Sequence, residues 1–145
     1  MVEKKQQSLF IFCDGGARGN PGPAGIGFLI KDSQGRILTE KKEFIGRATN
    51  NVAEYQAVIK ALETIVQFFP QPAFLNFYLD SQLVVNQLSG KFKIKNSGLM
   101  ALVIKIKNLE KKVKGLVFYH HIPREKNKQA DSLVNQALDQ ALKLK

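Results

Sequence analysis

The sequence predicts an α/β fold built on one mixed sheet, and three observations point to it. Two apolar, aromatic-rich runs are too short for helices and end in aspartate; two strand-like segments flank a short hairpin-type turn; and strand-like and helix-like segments follow in the order β-β-β-α-β-α-α-β-α. Residues 8–13 (SLFIFC) read as a buried central strand running into Asp14 and a Gly pair. The stretch GGARGNPGPAG reads as a turn region. Residues 25–31 and 36–45 read as strands joined through Asp32-Ser33-Gln34-Gly35, which makes them antiparallel neighbours.

The longest helical pattern follows. Val58, Ala61, Leu62, Ile65 and Phe69 line one face, with Gln56, Lys60, Glu63 and Gln67 on the other, and Pro70 stops it. Residues 73–79 (AFLNFYL) form a second aromatic strand, followed by Asp80-Ser81 and a short helix around Leu83, Val84 and Leu88. A further helix starts near Asn96 and directs Leu99, Leu102, Val103, Ile106 and Leu109 inward, leaving Lys105, Lys107, Lys111 and Lys112 outside. Residues 115–121 read as a third buried strand. The last helix, capped by Asn127, aligns Ala130, Leu133, Val134, Ala137, Leu138 and Ala141. Right-handed strand–helix–strand crossovers then add the later strands beside the first, in parallel, with helices on the sheet faces.

The 145 residues fit one domain with its own core, residues 1–7 forming a flexible N-terminus. A lone cysteine, Cys13, excludes a disulfide scaffold and points to a reducing cytoplasm, and no apolar run approaches the ~20 residues of a membrane span. The net charge of +10 is uneven: residues 1–85 carry 9 basic and 8 acidic side chains, residues 86–145 carry 13 and 4. That asymmetry predicts a polyanionic partner, or else a lysine-rich solubilising surface.

Four acids stand out. Asp14 and Asp80 each close an aromatic strand; adjacent parallel strands would bring both to the C-terminal sheet edge, where open α/β sheets bind ligands. Each is also a natural turn former or cap. Glu54 falls on the apolar stripe of its helix, four residues before Val58, so it faces inward; it equally fits a capping box opened by Asn51. Asp131 lies in the first turn of the last helix, where the helix dipole alone favours an acid. Together they form an oxygen-rich set suited to Mg²⁺, and two such ions ~4 Å apart can serve phosphodiester cleavage.

The motifs DGGARGNPGPAGIG, ATNNVAEYQAVIKAL, LDSQLVVNQL and HIPREKNKQADSLVNQAL resemble, in order and from residue 9 to about 142, the type 1 ribonuclease H family. The resemblance implies a ribonuclease H-like fold: a five-stranded mixed sheet of three antiparallel strands with parallel additions, and helices on both faces. It implies Mg²⁺- or Mn²⁺-dependent hydrolysis of the RNA strand of an RNA–DNA hybrid, with two ions bound alongside substrate and 3′-hydroxyl and 5′-phosphate ends produced. Its four metal-binding acids fall on Asp14, Glu54, Asp80 and Asp131. Asn20, Asn50 and Asn51 match positions that read the minor groove, where amides meet ribose 2′-hydroxyls; turn or cap roles are the alternatives. Thr49 matches a DNA-phosphate contact, with Ser81, Asn86 and nearby lysines as further substrate contacts.

The chain departs from well-studied bacterial members in two places. The loop from Ile122 to Ala130 has no histidine; His120 and His121 precede it, in the strand, as in shorter archaeal-type members, and Arg124 and Lys126 are the residues there that can meet phosphate charge. No Trp is present, and the segment GKFKIKNSG replaces a longer basic protrusion, which leaves Lys91, Lys93 and Lys95 to grip substrate. The expected partner is an RNA–DNA hybrid bound by a monomer away from membranes. A relaxed nuclease that also cuts double-stranded RNA and a non-catalytic nucleic-acid-binding module are the alternatives.

Overall fold

A computed structural model describes residues 7–69, 72–91 and 93–143. Pro70 and residues 1–6 lie outside the described residues; Gln7, expected in the flexible terminus, already pairs with Pro72. The strands are β1 (Gln7–Ala17), β2 (Gly22–Lys31), β3 (Ile37–Ala48), β4 (Pro72–Leu79) and β5 (Leu116–His121). The helices are α1 (Asn50–Phe68), α2 (Gln82–Leu88), α3 (Ser97–Lys112) and α4 (Lys128–Leu142), with a 3₁₀ turn at Arg124–Lys126. The sheet order is β3-β2-β1-β4-β5; β1–β2 and β2–β3 are antiparallel, β1–β4 and β4–β5 parallel.

The β2–β3 turn is held by Asp32, whose carboxylate accepts from the backbone N–H groups of Gln34 and Arg36 (2.9 and 3.0 Å) and from Arg36 Nε (2.8 Å). On one face of the sheet, Leu9, Ile11, Ile26, Phe28, Leu75 and Phe77 form the main core with α1, α2 and α3. The longest helix is buried on more sides than its amphipathic stripe predicts, because Ala57 and Ile59 are fully covered as well. On the other face α4 lies over β2, β3 and β1 and leaves β4 and β5 uncovered. Strand β5 is therefore an exposed edge rather than a buried strand: Leu116 and Phe118 are 60% and 42% exposed. Ala141, at the end of α4, is exposed too.

The region read as a turn is mostly strand. β1 runs on to Ala17 and β2 starts at Gly22, with Gly16 opposite Gly25 and Ala17 opposite Ala24, so only Arg18–Pro21 turns. Glycines of β1 and β2 answer to packing. A Cβ on Gly15 would lie 2.3 Å from the Ala53 carbonyl in α1, and one on Gly27 would lie 2.6 Å from Leu133 Cβ in α4. Both helices thus sit on the sheet at positions without side chains.

Gly27→Ala is expected to destabilise the fold by about 2–4 kcal/mol, since α4 must move, whereas Gly16→Ala, which meets nothing closer than 3.9 Å, should stay within about 1 kcal/mol. Urea unfolding of the two variants beside the parent measures the difference.

Candidate active site

The parallel register between β1 and β4 ends at Phe12 opposite Tyr78, while β1 continues alone along β2. Two residues further along that register come Asp14 and Asp80, on the same sheet face. Asp80 follows directly on β4, as expected. Asp14 does not close its strand; it lies within β1, at the point where the neighbouring β4 has ended. The chain of α2 then leaves through Ser81, the helix N-cap, whose hydroxyl accepts from Val84 N–H at 3.3 Å.

Glu54 enters from α1. It is 5% exposed, and Oε1 accepts the backbone N–H of Gly15 at 3.1 Å across the gap that the glycine leaves. Its other oxygen, Oε2, is buried without a hydrogen-bond partner among the described residues. The capping-box reading fails, because α1 is capped by Thr49, whose hydroxyl accepts from Val52 N–H at 3.2 Å. Asp14, Glu54 and Asp80 each offer one carboxylate oxygen to a cluster in which all three atoms lie within 4.8 Å of one another. Asp131 stands outside that trio but lines the same cavity of about 420 Å³, from the first turn of α4.

Three acids this close cannot ionise independently. Burial, together with the charges of Asp80 and Asp131, pushes the Asp14 carboxyl up to about 7. Glu54 is raised well above the ordinary range, first by burial and then by Asp14. Buried carboxylates with an oxygen lacking a donor fit a divalent cation with hard-oxygen preference: the cation supplies the missing partner and removes the mutual repulsion.

The same cavity wall carries Asn50, Asn51, Ser81 and Arg124. Asn20 stands beside it: its Oδ1 accepts the Asn50 N–H at 2.9 Å, and Asn50 Oδ1 accepts the Ala17 N–H at 2.8 Å. Each amide thus uses its oxygen locally and keeps its NH₂ donors for another partner. Neither Asn50 nor Asn51 is the cap; both are in the first turn. Thr49, Asn86, Lys91, Lys93 and Lys95 are not on the wall; the three lysines are exposed between α2 and α3. His120 stacks on Tyr78 with ring centroids 5.0 Å apart and meets Asn76 Oδ1 at 3.1 Å, and His121 ends β5.

Three features lie beyond the sequence reading. Arg18 and Asn135 also line the cavity. Asn135 is one helical turn beyond Asp131, a spacing that could have identified it; nothing in the sequence marks Arg18. Asn127 occupies the cap position of α4 but makes no cap bond there; it is buried, and its Nδ2 donates to the Cys13 carbonyl at 2.8 Å, tying the helix start to β1. A larger cavity, about 540 Å³, lies between β3 and α1, but its acids Glu43 and Glu63 face Lys60 at 3.9 and 4.0 Å and form no cluster.

A family described as reverse transcriptase-like matches residues 12–137. The structure is similar to that of LC11-RNase H1 in complex with an RNA/DNA hybrid (TM-score 0.89, 45% identity, 92% of this chain and 99% of the other). It is also similar to the N-terminal RNase H domain of a Mycobacterium tuberculosis protein (TM-score 0.88, 39% identity, 95% and 98%). Ribonuclease HI of Halobacterium salinarum is 40% identical over 137 residues, covering 92% of this chain and 65% of that protein. Mycobacterial relatives, among them a Mycobacterium tuberculosis protein called bifunctional, are 42% identical over 134 residues, and the chain spans only 36% of their length.

Asp14 binds its proton more tightly folded than unfolded, where its ordinary value is 3.8. The stability it contributes is therefore complete below about pH 4 and is lost as pH rises to about 7. In EDTA the protein should be less stable at pH 8 than at pH 5, and Asp14→Asn should stabilise it at pH 8 by about 1–3 kcal/mol. Thermal melts of both proteins across that window give the sign.

Proposed function

This chain belongs to the type 1 ribonuclease H family, and on that footing we propose that it is an endoribonuclease hydrolysing the RNA strand of RNA–DNA hybrids. The products are 3′-hydroxyl and 5′-phosphate ends. The observation that carries this reading is the carboxylate cluster where β4 ends beside β1, with Glu54 Oε2 buried and without a hydrogen-bond partner among the described residues. The LC11-RNase H1 match, a structure holding an RNA/DNA hybrid, supports the substrate.

Asp14, Glu54, Asp80 and Asp131 would hold Mg²⁺, or Mn²⁺ in its place, as two ions once substrate is present. Bound divalent cations supply the charge that activates water for attack and offsets negative charge on the leaving oxygen. The protein's own part is to hold these acids together, which the raised proton affinities of Asp14 and Glu54 oppose until a cation arrives. Asn20, Asn50 and Asn51 contribute amide donors to ribose 2′-hydroxyls, the group that distinguishes RNA from DNA. Thr49 and Ser81 use their hydroxyl oxygens as helix caps, which leaves each O–H to donate to a phosphate. Asn86, Lys91, Lys93, Lys95 and Arg124 extend the phosphate contacts across the basic part of the chain. No described helix is long and apolar enough to cross a membrane. The free, buried Cys13 supports a reducing cytoplasm, where we place the protein as a monomer, with these 145 residues forming one ribonuclease H-like domain.

Labelled RNA–DNA hybrid, duplex RNA and duplex DNA, each incubated with the protein, test the proposal. The hybrid should be cut in its RNA strand, cleavage should stop in EDTA, and excess Mg²⁺ or Mn²⁺ should restore it. Asp80→Asn should lower the rate by about 10³-fold, some 4 kcal/mol of barrier, without unfolding the chain. Comparable cutting of duplex RNA would replace the proposal with a relaxed nuclease, and metal-independent binding without cleavage would reduce it to a binding module.

A further inference from the structure

The fourth acid, Asp131, is held from behind. One turn along α4, Asn135 Nδ2 donates to Asp131 Oδ2 at 3.3 Å and to the Asp131 carbonyl at 3.1 Å. Asn135 Oδ1 in turn accepts from Arg18 Nη2 at 3.4 Å, and the same nitrogen pairs with Asp139 Oδ1 at 2.6 Å. Asp131, Asn135 and Asp139 are spaced at four residues, so they stack on one face of the helix, and Arg18 reaches that face from the turn between β1 and β2. The result is a continuous chain, Asp139–Arg18–Asn135–Asp131, whose last member faces the cluster.

We propose that Arg18 and Asn135 are positioning residues for cation binding, which fix the Asp131 carboxylate so that it completes the set begun by Asp14, Glu54 and Asp80. Three features support this. Asp131 is the member outside the tight trio, so its rotamer decides whether four acids or three meet the ion. The amide of Asn135 binds one carboxylate oxygen and leaves the other to the cavity. Arg18 fixes which way that amide is turned, because its N–H groups require the oxygen of Asn135 on their side and so present the NH₂ to Asp131. This inference rests on the metal-dependent reading above and goes beyond it to residues of no assigned role.

The arrangement makes an unusual prediction about sign. Arg18 is a positive charge beside a cation site, so by Coulomb's law alone its removal would tighten metal binding. If its task is positioning, its removal weakens binding. Mn²⁺ titrations followed by electron paramagnetic resonance, on the full chain and on Asn135→Ala, Arg18→Ala and the double variant, decide between the two. Each single variant should bind about 10-fold more weakly. The double variant should be no worse than the weaker single one, since both act through one carboxylate. Hybrid cleavage by the variants should need correspondingly more Mg²⁺ and recover to within about twofold of the parent rate at saturation, with melting in EDTA unchanged. Unchanged or tighter binding by Arg18→Ala, or additive losses, would overturn the positioning role. A parent that binds Mn²⁺ with these variant effects but cuts no hybrid would leave positioning in place and remove the nuclease reading instead.

Discussion

The absence of a side chain at Gly15 is the constraint on which the site depends. Because no Cβ stands there, the backbone of α1 at Ala53 and Glu54 comes against β1 at distances that any other residue would forbid. That approach places Glu54 Oε1 on the Gly15 N–H and its second oxygen among the carboxylates of the strand ends. A wider helix–sheet spacing would leave Glu54 in the apolar layer with Tyr55 and Val58, where a carboxylate has no partner at all. The contact that looks like simple packing therefore sets the composition of the cluster.

Around that contact the molecule divides into a dry side and an electrostatically loaded edge. The core between the sheet and α1, α2 and α3 is aliphatic and aromatic and contains Cys13, whose thiol burial keeps protonated. One residue further along β1 the side chain is Asp14. The rigidity of the first region is what makes the second possible, because strands and helices fixed by a filled core cannot relax to let the acids move apart. Repulsion is thus stored locally and carried by packing elsewhere.

Much of this was legible in the sequence, for physical reasons that can be named. Aromatic runs leading into Asp14 and Asp80, and an acid at Glu54 in phase with Val58, Ala61 and Ile65, are local patterns, and their convergence follows from the crossover rule. The fold class follows in the same way. What was not legible depends on partners distant in sequence. The Gly-rich stretch resembles a turn by composition, but Gly15 and Gly25 within it are strand positions emptied to admit α1 and α4. The edge position of β5 leaves exposed a run as apolar as a central strand. Asn127 has the residue type and place of a cap yet spends its donor on Cys13, and the link from Arg18 to Asn135 spans almost the whole chain.

The pairing of β1 with β4 has a consequence in time as well as in space. β1, β2 and β3 are joined by short turns and can pair as soon as they are made, whereas β1 meets β4 only after β2, β3 and α1 have been placed between them. Closing so long a loop is entropically costly and slow compared with forming the hairpins. The repelling carboxylates therefore meet after the local structure that must hold them already exists, and α4, which brings Asp131, follows all five strands in the chain. A partly folded chain carries the acids but not the cluster, so the site comes into existence only with the assembled fold.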